Sequence, residues 1–382
     1  MRGSAQQRPK VVVVQTTIPD YRRPFFDALT AELGHNLELL SGDEDWDTDI
    51  AHVHDVPHTR VRNVFLARRQ LLWQVGAVKS LLAGDIAVVG LNPRVLTSWV
   101  ALLGRGLMGR RTLVWGHAWP RRGPSSRTDR LRGLMRRLAS TIVVYTETEA
   151  RHLGSRSPRI DVVAAPNALY RRRELGPSPT TGEVTDLVYV GRLTGSKRLE
   201  LLIEAFLAAG ADLPEDVRLI IVGEGTLRSG LEAQARSSPL GGRIAFTGHV
   251  SSVDQLRDIY ARAIASVSPG LVGLALIQSL GFGVPMILPR DADHGPEIEA
   301  AIEGVNVVVF PSESCAGLAA AIVSVIRDRD DCLARRPQIA SPILDRYSIE
   351  RMAASFVDAL RLEARSPSGD MPASAVADET SK

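Results

Sequence analysis

The 382-residue sequence is poor in cysteine and in aromatic residues, and it has no long uninterrupted apolar run. Its two cysteines, Cys315 and Cys332, lie too far apart for a C-x-x-C metal or redox motif, and so few thiols exclude a disulfide-rich secreted scaffold. The best candidate for a membrane span, residues 99–108, is short and is interrupted by Arg105. Residues 1–10 lack the apolar core of a signal peptide. These absences predict a cytoplasmic globular protein.

Carboxylates are scarce in one region, although the net charge of the whole chain is only +3. Arginines crowd residues 105–173, and from Arg130 to Leu138 they alternate with apolar residues that recur at i, i+3, i+4 and i+7. This pattern predicts a basic amphipathic helix. Two interpretations are open: the leucines pack on the protein's own core, as in most surface helices, or the helix makes a peripheral contact with anionic lipid. Nucleic acid is not expected as a partner, because no aromatic interleaving or recognisable motif accompanies the arginines.

Strand-like and helix-like segments alternate along both halves, which is typical of parallel βαβ units and predicts an α/β protein of two or three domains. The first half has predicted strands at residues 11–14, 86–89, 112–115 and 142–145, and predicted helices at 25–33 and 95–103. The second half has predicted strands at residues 187–190, 219–222, 244–247, 264–267, 285–288 and 305–310.

A polar stretch rich in Pro, Gly and Thr separates the two series, and after Ser366 the sequence is too poor in large apolar residues to fold. The predicted segments are an N-terminal Rossmann-like domain (1–175), a linker (176–185), a C-terminal Rossmann-like domain (186–345), a helix expected to pack back on the N-terminal domain (346–365) and a disordered tail (366–382).

The first strand of the second half ends in a glycine turn followed by two cations. Residues 187–190 are apolar, Gly191 follows them, and Arg192 and Lys197 precede a helix-like segment at 199–206. In an open parallel sheet, ligands bind outside the carboxyl ends of the strands. Fixed positive charge at this position favours a diphosphate, and two solvated surface cations are the alternative.

The fourth strand of the same half is followed by a glycine-rich loop and a helix. Gly270 and Gly273 lie in the loop 268–274, and a helical pattern covers residues 275–280. If the six strands take the common doubly wound order 3-2-1-4-5-6, the first and fourth strands are neighbours. The free N–H groups of the helix N-terminus then face the cations of the first loop, and a phosphate-bearing ligand is the natural occupant.

Together these motifs resemble the retaining glycosyltransferases of family 4, also described as glycosyl transferases group 1, which have the two-domain GT-B fold. The resemblance runs through most of the chain. Its strongest parts are Gly191-Arg192 with Lys197 and Glu204-Ala205-Phe206, Val222-Gly223-Glu224-Gly225, Phe246 with Gly248, and Gly283-Val284-Pro285 with Pro296-Glu297. It implies two doubly wound Rossmann-like domains that face each other across a cleft.

The resemblance places the donor site in the second domain. The residues it implies in binding a nucleotide-diphosphate sugar are Gly191, Arg192, Lys197, Gly223, His249, Val250, Gly273, Leu274, Ala275 and Gln278. Among them, Arg192 and Lys197 would grip the diphosphate, with help from the amides near Leu274. The loop at His249 would flank the base, and Gln278 would face the ribose.

The first domain resembles the acceptor side of the same family. Tyr21, Arg22 and Arg23 follow the first strand and would order the loop that receives the acceptor. His117 follows a later strand and would touch the donor sugar near its reacting carbon, so that His117, Arg192 and Lys197 are the implied catalytic residues. A histidine that only caps the local backbone at a strand end is the alternative.

One departure from the family concerns two glutamates that usually stand eight positions apart in the fourth loop and its helix. This sequence has Gly270 and Gln278 at those positions. Gln278 retains hydrogen-bonding capacity without the strength of a charged group, and Gly270 offers no side chain to the sugar. Either other groups hold the donor sugar, or catalysis has weakened.

The implied function is a retaining, metal-independent hexosyltransferase that acts on a lipid-linked, polysaccharide or other glycan acceptor and needs no cofactor besides its donor. A catalytically weakened sugar-nucleotide or carbohydrate binder is the alternative. A D-x-D metal site at Asp291 and Asp293, or in the series Asp45, Asp47 and Asp49, is less favoured, because the series lacks the glycine and glutamate of a calcium loop. A nicotinamide oxidoreductase is disfavoured because no G-x-G-x-x-G follows the first strand.

Overall fold

A computed structural model of the protein describes residues 8–46, 55–120, 123–124, 126, 128–180 and 182–364. Two lobes are visible, and each is built on a parallel sheet covered by helices on both faces. The predicted pair of doubly wound domains is therefore confirmed. The predicted disordered tail at 366–382 lies outside the described residues.

The N-terminal lobe has a seven-stranded sheet in the order β3-β2-β1-β6-β7-β8-β9, and all its pairings are parallel. Its strands are β1 (Val11–Gln15), β2 (Leu37–Ser41), β3 (Thr59–Arg60), β6 (Ile86–Gly90), β7 (Thr112–Trp115), β8 (Thr141–Val144) and β9 (Asp161–Ala164). The antiparallel hairpin β4 (Arg62–Leu66) and β5 (Leu71–Val75) lies beside it. Strand β1 begins with an unbroken run of four buried valines, as expected of a strand covered on both faces.

The described residues of this lobe form the helices α1 (Arg23–Leu33), α2 (Ala77–Ala83), α3 (Leu96–Leu107), α4 (Asp129–Leu138) and α5 (Glu147–Arg156). Phe25 and Phe26 of α1 are fully buried against the sheet, so they belong to the core. In the described part of the chain, no helix is long and apolar enough to cross a membrane.

The C-terminal lobe has a six-stranded parallel sheet in the order β12-β11-β10-β13-β14-β15. Its strands are β10 (Asp186–Val190), β11 (Arg218–Val222), β12 (Ile244–Gly248), β13 (Ala263–Val267), β14 (Met286–Pro289) and β15 (Val307–Phe310). This is the predicted order 3-2-1-4-5-6, and it places the first strand, β10, directly beside the fourth, β13.

The helices of this lobe are α6 (Leu199–Ala209), α7 (Arg228–Arg236), α8 (Val253–Ala261), α9 (Leu274–Gly281), α10 (Cys315–Arg327), α11 (Arg329–Ala334) and α12 (Arg336–Arg346). The last helix, α13 (Ile349–Ala364), returns to the N-terminal lobe and packs against α1. Phe356 of α13 is fully buried, with its ring 4.9 Å from the ring of Trp115 and 5.4 Å from that of Phe25.

The strand ends that face the cleft carry glycines for a steric reason. Gly223 follows β11 with a φ of +143°, and a Cβ built on it would lie 1.9 Å from the carbonyl oxygen of Gly191. The N–H of Gly191 donates to Val222, and that of Gly223 donates to Gly248. The backbones after three neighbouring strands thus approach more closely than any side chain allows.

We expect Gly223→Ala to destabilise the fold by at least about 2 kcal/mol, because it adds both a positive φ and a backbone clash. The matched control is Gly230→Ala in α7, where no atom lies within 4 Å of the added Cβ. That change should be neutral or stabilising by up to about 1 kcal/mol, since alanine favours a helix. Urea denaturation measures both, and equal stabilities of the two variants would contradict the close approach.

Candidate functional site

The loops after β10 and β13 touch each other at the cleft. The ammonium of Lys197 donates to the carbonyl of Leu271 at 2.6 Å, and the N–H of Leu271 donates to the carbonyl of Ser196 at 3.2 Å. The predicted convergence of these two distant loops is therefore confirmed. Their roles in ligand binding stay predictions.

Gly270 lies where the two loops pack most closely. A Cβ at this position would be 2.5 Å from the carbonyl oxygen of Ser196 and 3.0 Å from the carbonyl carbon of Lys197. Any larger residue here would displace the backbone that carries Lys197. The glycine in place of a glutamate is thus required by the packing of the two loops.

Lys197 lies in an environment that disfavours its charged form. Burial lowers the pKa of Lys197, the neighbouring charge of Arg192 lowers it further, and the carboxylate of Glu297 opposes both effects. Two cations close enough to repel each other are stabilised by an added anion. The predicted diphosphate grip therefore has an electrostatic basis.

Helix α9 begins beside these cations, with Gly273 as its N-cap and Leu274 and Ala275 as its first residues. A Cβ on Gly273 would meet only the carboxylate of Glu297, at 3.7 Å. The N–H groups at this helix start carry the positive end of the helix dipole. They lie on the same side of the sheet as Lys197, as the strand order predicts.

The other predicted donor residues are spread over the C-terminal lobe. His249 is exposed and Val250 half-buried in the loop that follows β12, next to β11 and the Gly223 that follows it. Gln278 is only 7% exposed, and its amide donates to the hydroxyl of the buried Tyr260 at 3.3 Å. In this conformation Gln278 therefore binds within the lobe, and its predicted contact with a ribose stays a prediction.

On the acceptor side, Arg22 lies beside Tyr21, with its guanidinium 5.7 Å from the centre of the Tyr21 ring. The guanidinium of Arg22 lies 4.8 Å from the ring centre of Trp115 and donates to the side-chain oxygen of Asn167 at 2.9 Å. Tyr21 is 40% exposed, while Arg23 pairs with Asp27 and Asp55 on the outer surface. Arg22 is therefore held by contacts within the N-terminal lobe, whereas Arg23 is exposed.

His117 lies on the wall of a cavity between the lobes. The cavity has a volume of about 560 Å³, and its walls include His117, Trp119 and Glu149 from the N-terminal lobe and Leu271 and His294 from the C-terminal lobe. Leu271 is the residue whose carbonyl binds Lys197. The cavity therefore joins the predicted catalytic histidine to the predicted diphosphate loop.

Sequence reasoning missed the carboxylate that shapes this wall. Glu149 is buried and accepts the N–H of Ala118 at 3.0 Å and that of Tyr145 at 3.3 Å. It therefore fixes the loop that carries His117. The signal was present, because Thr146 and Glu149 have the spacing of a helix capping box, and the Thr146 hydroxyl does accept the N–H of Glu149.

Neither predicted metal alternative gains support from the described residues, among which no group of three His, Cys, Asp or Glu side chains could hold a metal ion. Asp47 and Asp49 lie outside the described residues. Asp291 and Asp293 lie in the loop that follows β14.

His294, in the same loop, has a structural role, because it connects this loop to the loop after β13. Its Nδ1 accepts the N–H of Val272 at 3.2 Å, and its Nε2 lies 2.8 Å from the carbonyl of Pro289.

We predict a pH dependence of stability from His294. Burial lowers the pKa of His294 below 6.5. The contribution of His294 to the free energy of unfolding should therefore be fully present above about pH 6.5. It should fall as the pH drops, because the His294 ring takes up a proton in the unfolded chain before it does so in the folded protein, and it should level off below the pKa of the folded state. In urea denaturation between about pH 7.5 and pH 5, His294→Gln should flatten this fall, whereas exposed His35→Gln should not. An unaltered slope in His294→Gln would contradict the assignment.

Comparison with known proteins agrees with this architecture. Residues 184–328 match the family model described as Glycosyl transferases group 1. A GDP-mannose-dependent alpha-(1-6)-phosphatidylinositol dimannoside mannosyltransferase of Mycobacterium tuberculosis is 33% identical over 177 residues, which span 46% of this chain and 43% of that enzyme. The matched segment is thus less than half of either protein.

Two solved structures resemble nearly the whole chain. Anabaena Alr3699/HepE in complex with UDP has a TM-score of 0.68 and 15% identity, over 92% of this chain and all of that one. The apo form of the lipopolysaccharide outer core galactosyltransferase WaaB has a TM-score of 0.64 and 14% identity, over 92% of this chain and 99% of that one. At such identities the likeness establishes the fold. The chain has the GT-B fold of glycosyltransferases, and its residues 184–328 match glycosyl transferases group 1.

Proposed function

We propose that this protein is a retaining glycosyltransferase that moves a hexose-type sugar from a nucleotide-diphosphate sugar to a lipid-linked, polysaccharide or other glycan acceptor. The observation that carries the proposal is the contact between the β10 and β13 loops. It joins Lys197 to Leu271, which lines the interlobe cavity and lies three residues before the start of α9, and the charge of Arg192 acts on Lys197. Further support comes from the match of residues 184–328 and from the names of the relatives, one of which uses GDP-mannose and another of which binds UDP.

The proposed mechanism depends on charge stabilisation rather than on a metal. As the bond between sugar and phosphate breaks, the leaving diphosphate becomes more negative, and Lys197, Arg192 and the α9 amides stabilise it most in the transition state. His117 lines the cavity from the acceptor side, near the sugar. The departing phosphate would take the proton of the incoming hydroxyl on the same face, which retains the anomeric configuration.

A non-catalytic sugar-nucleotide binder is the second candidate, and it is favoured by one observation. The close packing at Gly270 leaves no room for a side chain there.

A panel of UDP-, GDP-, dTDP- and ADP-sugars in a thermal-shift assay identifies the donor class, and product analysis with the stabilising donor then separates the enzyme from the binder. Transfer to a glycan or lipid-linked acceptor supports the enzyme, while stabilisation without any product supports the binder.

Lys197→Ala and Arg192→Ala should each weaken binding of the nucleoside diphosphate by roughly 1.5–3 kcal/mol, the range for hydrogen bonds to charged groups. Calorimetry with the diphosphate identified in the panel measures this. Arg198→Asn is the matched control, because Arg198 pairs with Glu313 on the surface and has a φ of +54°, which asparagine tolerates. Unchanged affinity in the first two variants would refute the diphosphate site.

A lipid-linked acceptor is the form of the proposal that the surface of the N-terminal lobe favours. The commoner interpretation of the α4 pattern predicts that its leucines pack on the core, and this prediction is wrong. Leu131 is 55% exposed, and Leu134 and Leu138 are also exposed. Helix α3 packs beside α4. The exposed large apolar side chains of this two-helix face are Val100, Leu103, Leu107, Met108, Leu131, Leu134 and Leu138.

The charge around the two-helix face fits an anionic lipid surface. Residues 105–140 contain ten arginines and one carboxylate. Arg110, Arg111, Arg130 and Arg137 are exposed beside the apolar side chains. Exposed leucines bordered by arginines are the composition of interfacial helices that bind anionic membranes. We therefore include a peripheral membrane contact in the proposal.

Helix α4 also connects this face to the cavity. Its other arginines point inward: Arg132 donates to the carbonyl of His117 at 2.7 Å, and Arg136 donates to the carbonyl of Ala118 and to Asp129. The helix that would lie on the membrane therefore holds the loop of the proposed catalytic histidine. An acceptor embedded in the same membrane would reach the cleft over a short path.

The double variant Leu131→Ser/Leu134→Ser should lower binding to vesicles containing anionic lipid at least about tenfold, since each leucine contributes roughly 1 kcal/mol or more when buried. Liposome flotation measures the bound fraction. The matched control is Ile302→Ser/Val305→Ser, which removes exposed apolar side chains from the C-terminal lobe. Equal flotation with neutral and anionic vesicles, or equal loss in both double variants, would remove the membrane contact from the proposal.

A further inference from the structure

One short segment of the C-terminal lobe makes two contacts with the N-terminal lobe. It is the 3-10 turn Pro296–Ala300, which follows β14 and lines the cavity. The carboxylate of Glu299 accepts the N–H of Glu147 at 2.9 Å and that of Thr148 at 2.7 Å. These are the first two residues of α5, so a carboxylate from one lobe binds the positive end of a helix dipole in the other.

Glu297, two residues earlier in the turn, makes the second contact. It is 5% exposed, and its Oε1 accepts the amide N–H of Asn167 at 2.8 Å. The side-chain oxygen of Asn167 in turn accepts an N–H from Nη2 of Arg22 at 2.9 Å. A continuous chain of polar groups thus crosses from the turn to the loop after β1.

The second oxygen of Glu297 faces the donor side. Its Oε2 lies 3.7 Å from a Cβ built on Gly273, the N-cap of α9. Lys197 of the donor loop and Arg22 of the acceptor loop both act on Glu297: their charges lower its pKa, while burial raises it more strongly. A single buried carboxylate is therefore shared between cations of opposite lobes.

We propose that the Pro296–Ala300 turn is a clasp that closes the cleft, and that Glu297 is a positioning residue that holds the donor and acceptor loops in register. The contacts of Glu299 supply attachment between the lobes. Glu297 links that attachment to the reaction centre, because opening the cleft would separate Arg22 and Asn167 from the anion that Arg22 shares with Lys197. The kinetic part of this inference rests on the proposed glycosyltransferase activity, whereas the closure itself does not.

Closure has a mechanistic consequence in a transferase. A closed cleft excludes water from the donor and brings the acceptor hydroxyl to the reacting carbon. A small misplacement of one loop relative to the other costs rate without weakening the grip on the diphosphate. The positioning role therefore predicts a loss in kcat rather than in nucleotide affinity.

The test uses Glu299→Ala, which removes the contact with α5, Asn167→Ala, which removes the partner of both Glu297 and Arg22, and the double variant Glu299→Ala/Asn167→Ala. All three leave the diphosphate loop untouched. Glu303→Ala is the matched control, because Glu303 is exposed, lies three residues after the turn and pairs with Arg290 inside its own lobe. Small-angle X-ray scattering of the full chain should give a larger radius of gyration for Glu299→Ala and for the double variant than for wild type and Glu303→Ala. Equal radii in all four proteins would overturn the clasp.

The kinetic arm measures transfer with the donor identified in the thermal-shift panel. Glu299→Ala and Asn167→Ala should lower kcat about tenfold to a hundredfold, with the affinity for the nucleoside diphosphate within about twofold of wild type. Glu297→Gln keeps an oxygen that can accept the Asn167 amide but removes the charge, so a similar loss there assigns the effect to the shared anion. Wild-type kcat in these variants would overturn the positioning role.

The two arms fail in distinguishable ways. A wild-type protein that transfers no sugar from any donor contradicts the proposed function, while the scattering comparison still decides whether the turn closes the cleft. A larger radius with unchanged kcat shows that closure does not position the reactants, and that result overturns the role of Glu297. Melting temperatures of the two single alanine variants, the double variant and Glu297→Gln within a few degrees of wild type exclude simple misfolding.

Discussion

The contact of the Lys197 ammonium with the Leu271 carbonyl is the interaction on which the candidate site depends. It binds the loop of the first strand to the loop of the fourth, at the point where the strand order reverses. This contact is possible only because Gly270 brings two backbones together. The same glycine removes a side chain from the cleft, so the geometry of the cationic loop and the absence of a carboxylate at 270 have one physical cause.

Much of the fold could be predicted from the sequence, since buried parallel strands are continuous apolar runs and the order of such strands is strongly biased. The strands missed were of other kinds. Strand β3 has two exposed residues, β9 is partly exposed, and the β4–β5 hairpin lies outside the main sheet. Each of these buries too little apolar surface to produce a clear pattern. Strand β2 was missed although Leu39 and Leu40 are buried, because Glu38 interrupts its apolar run. Predicted and observed strand ends differ by one or two residues: β8 begins at Thr141 and β15 at Val307, where residues 142 and 305 were predicted. At such ends the apolar run and the ladder of hydrogen bonds do not stop at the same residue.

The sequence predicted which residues form the donor side and the acceptor side of the candidate site, but it did not predict the contacts that join the two sides. The periodicity of α4 identified a helix with two faces, yet it could not show that Arg132 and Arg136 point inward, because that depends on backbone carbonyls of a distant loop. Glu297 and Asn167 are 130 residues apart, and their hydrogen bond exists only once the lobes face each other. Contacts between lobes leave no periodic signal, so the groups that join the donor and acceptor sides emerged from the structure alone.

The return of α13 to the first lobe has a consequence for how the chain acquires its structure. Phe356 completes an aromatic cluster with Phe25 and Trp115, although more than 200 residues separate it from either ring. A ribosome delivers the N-terminal lobe first, but the apolar surface that α13 covers stays open to water until the C-terminal lobe has been synthesised. The N-terminal lobe is thus complete only after α13 has been synthesised. Premature termination of translation would leave an N-terminal lobe with exposed apolar surface that is prone to aggregate.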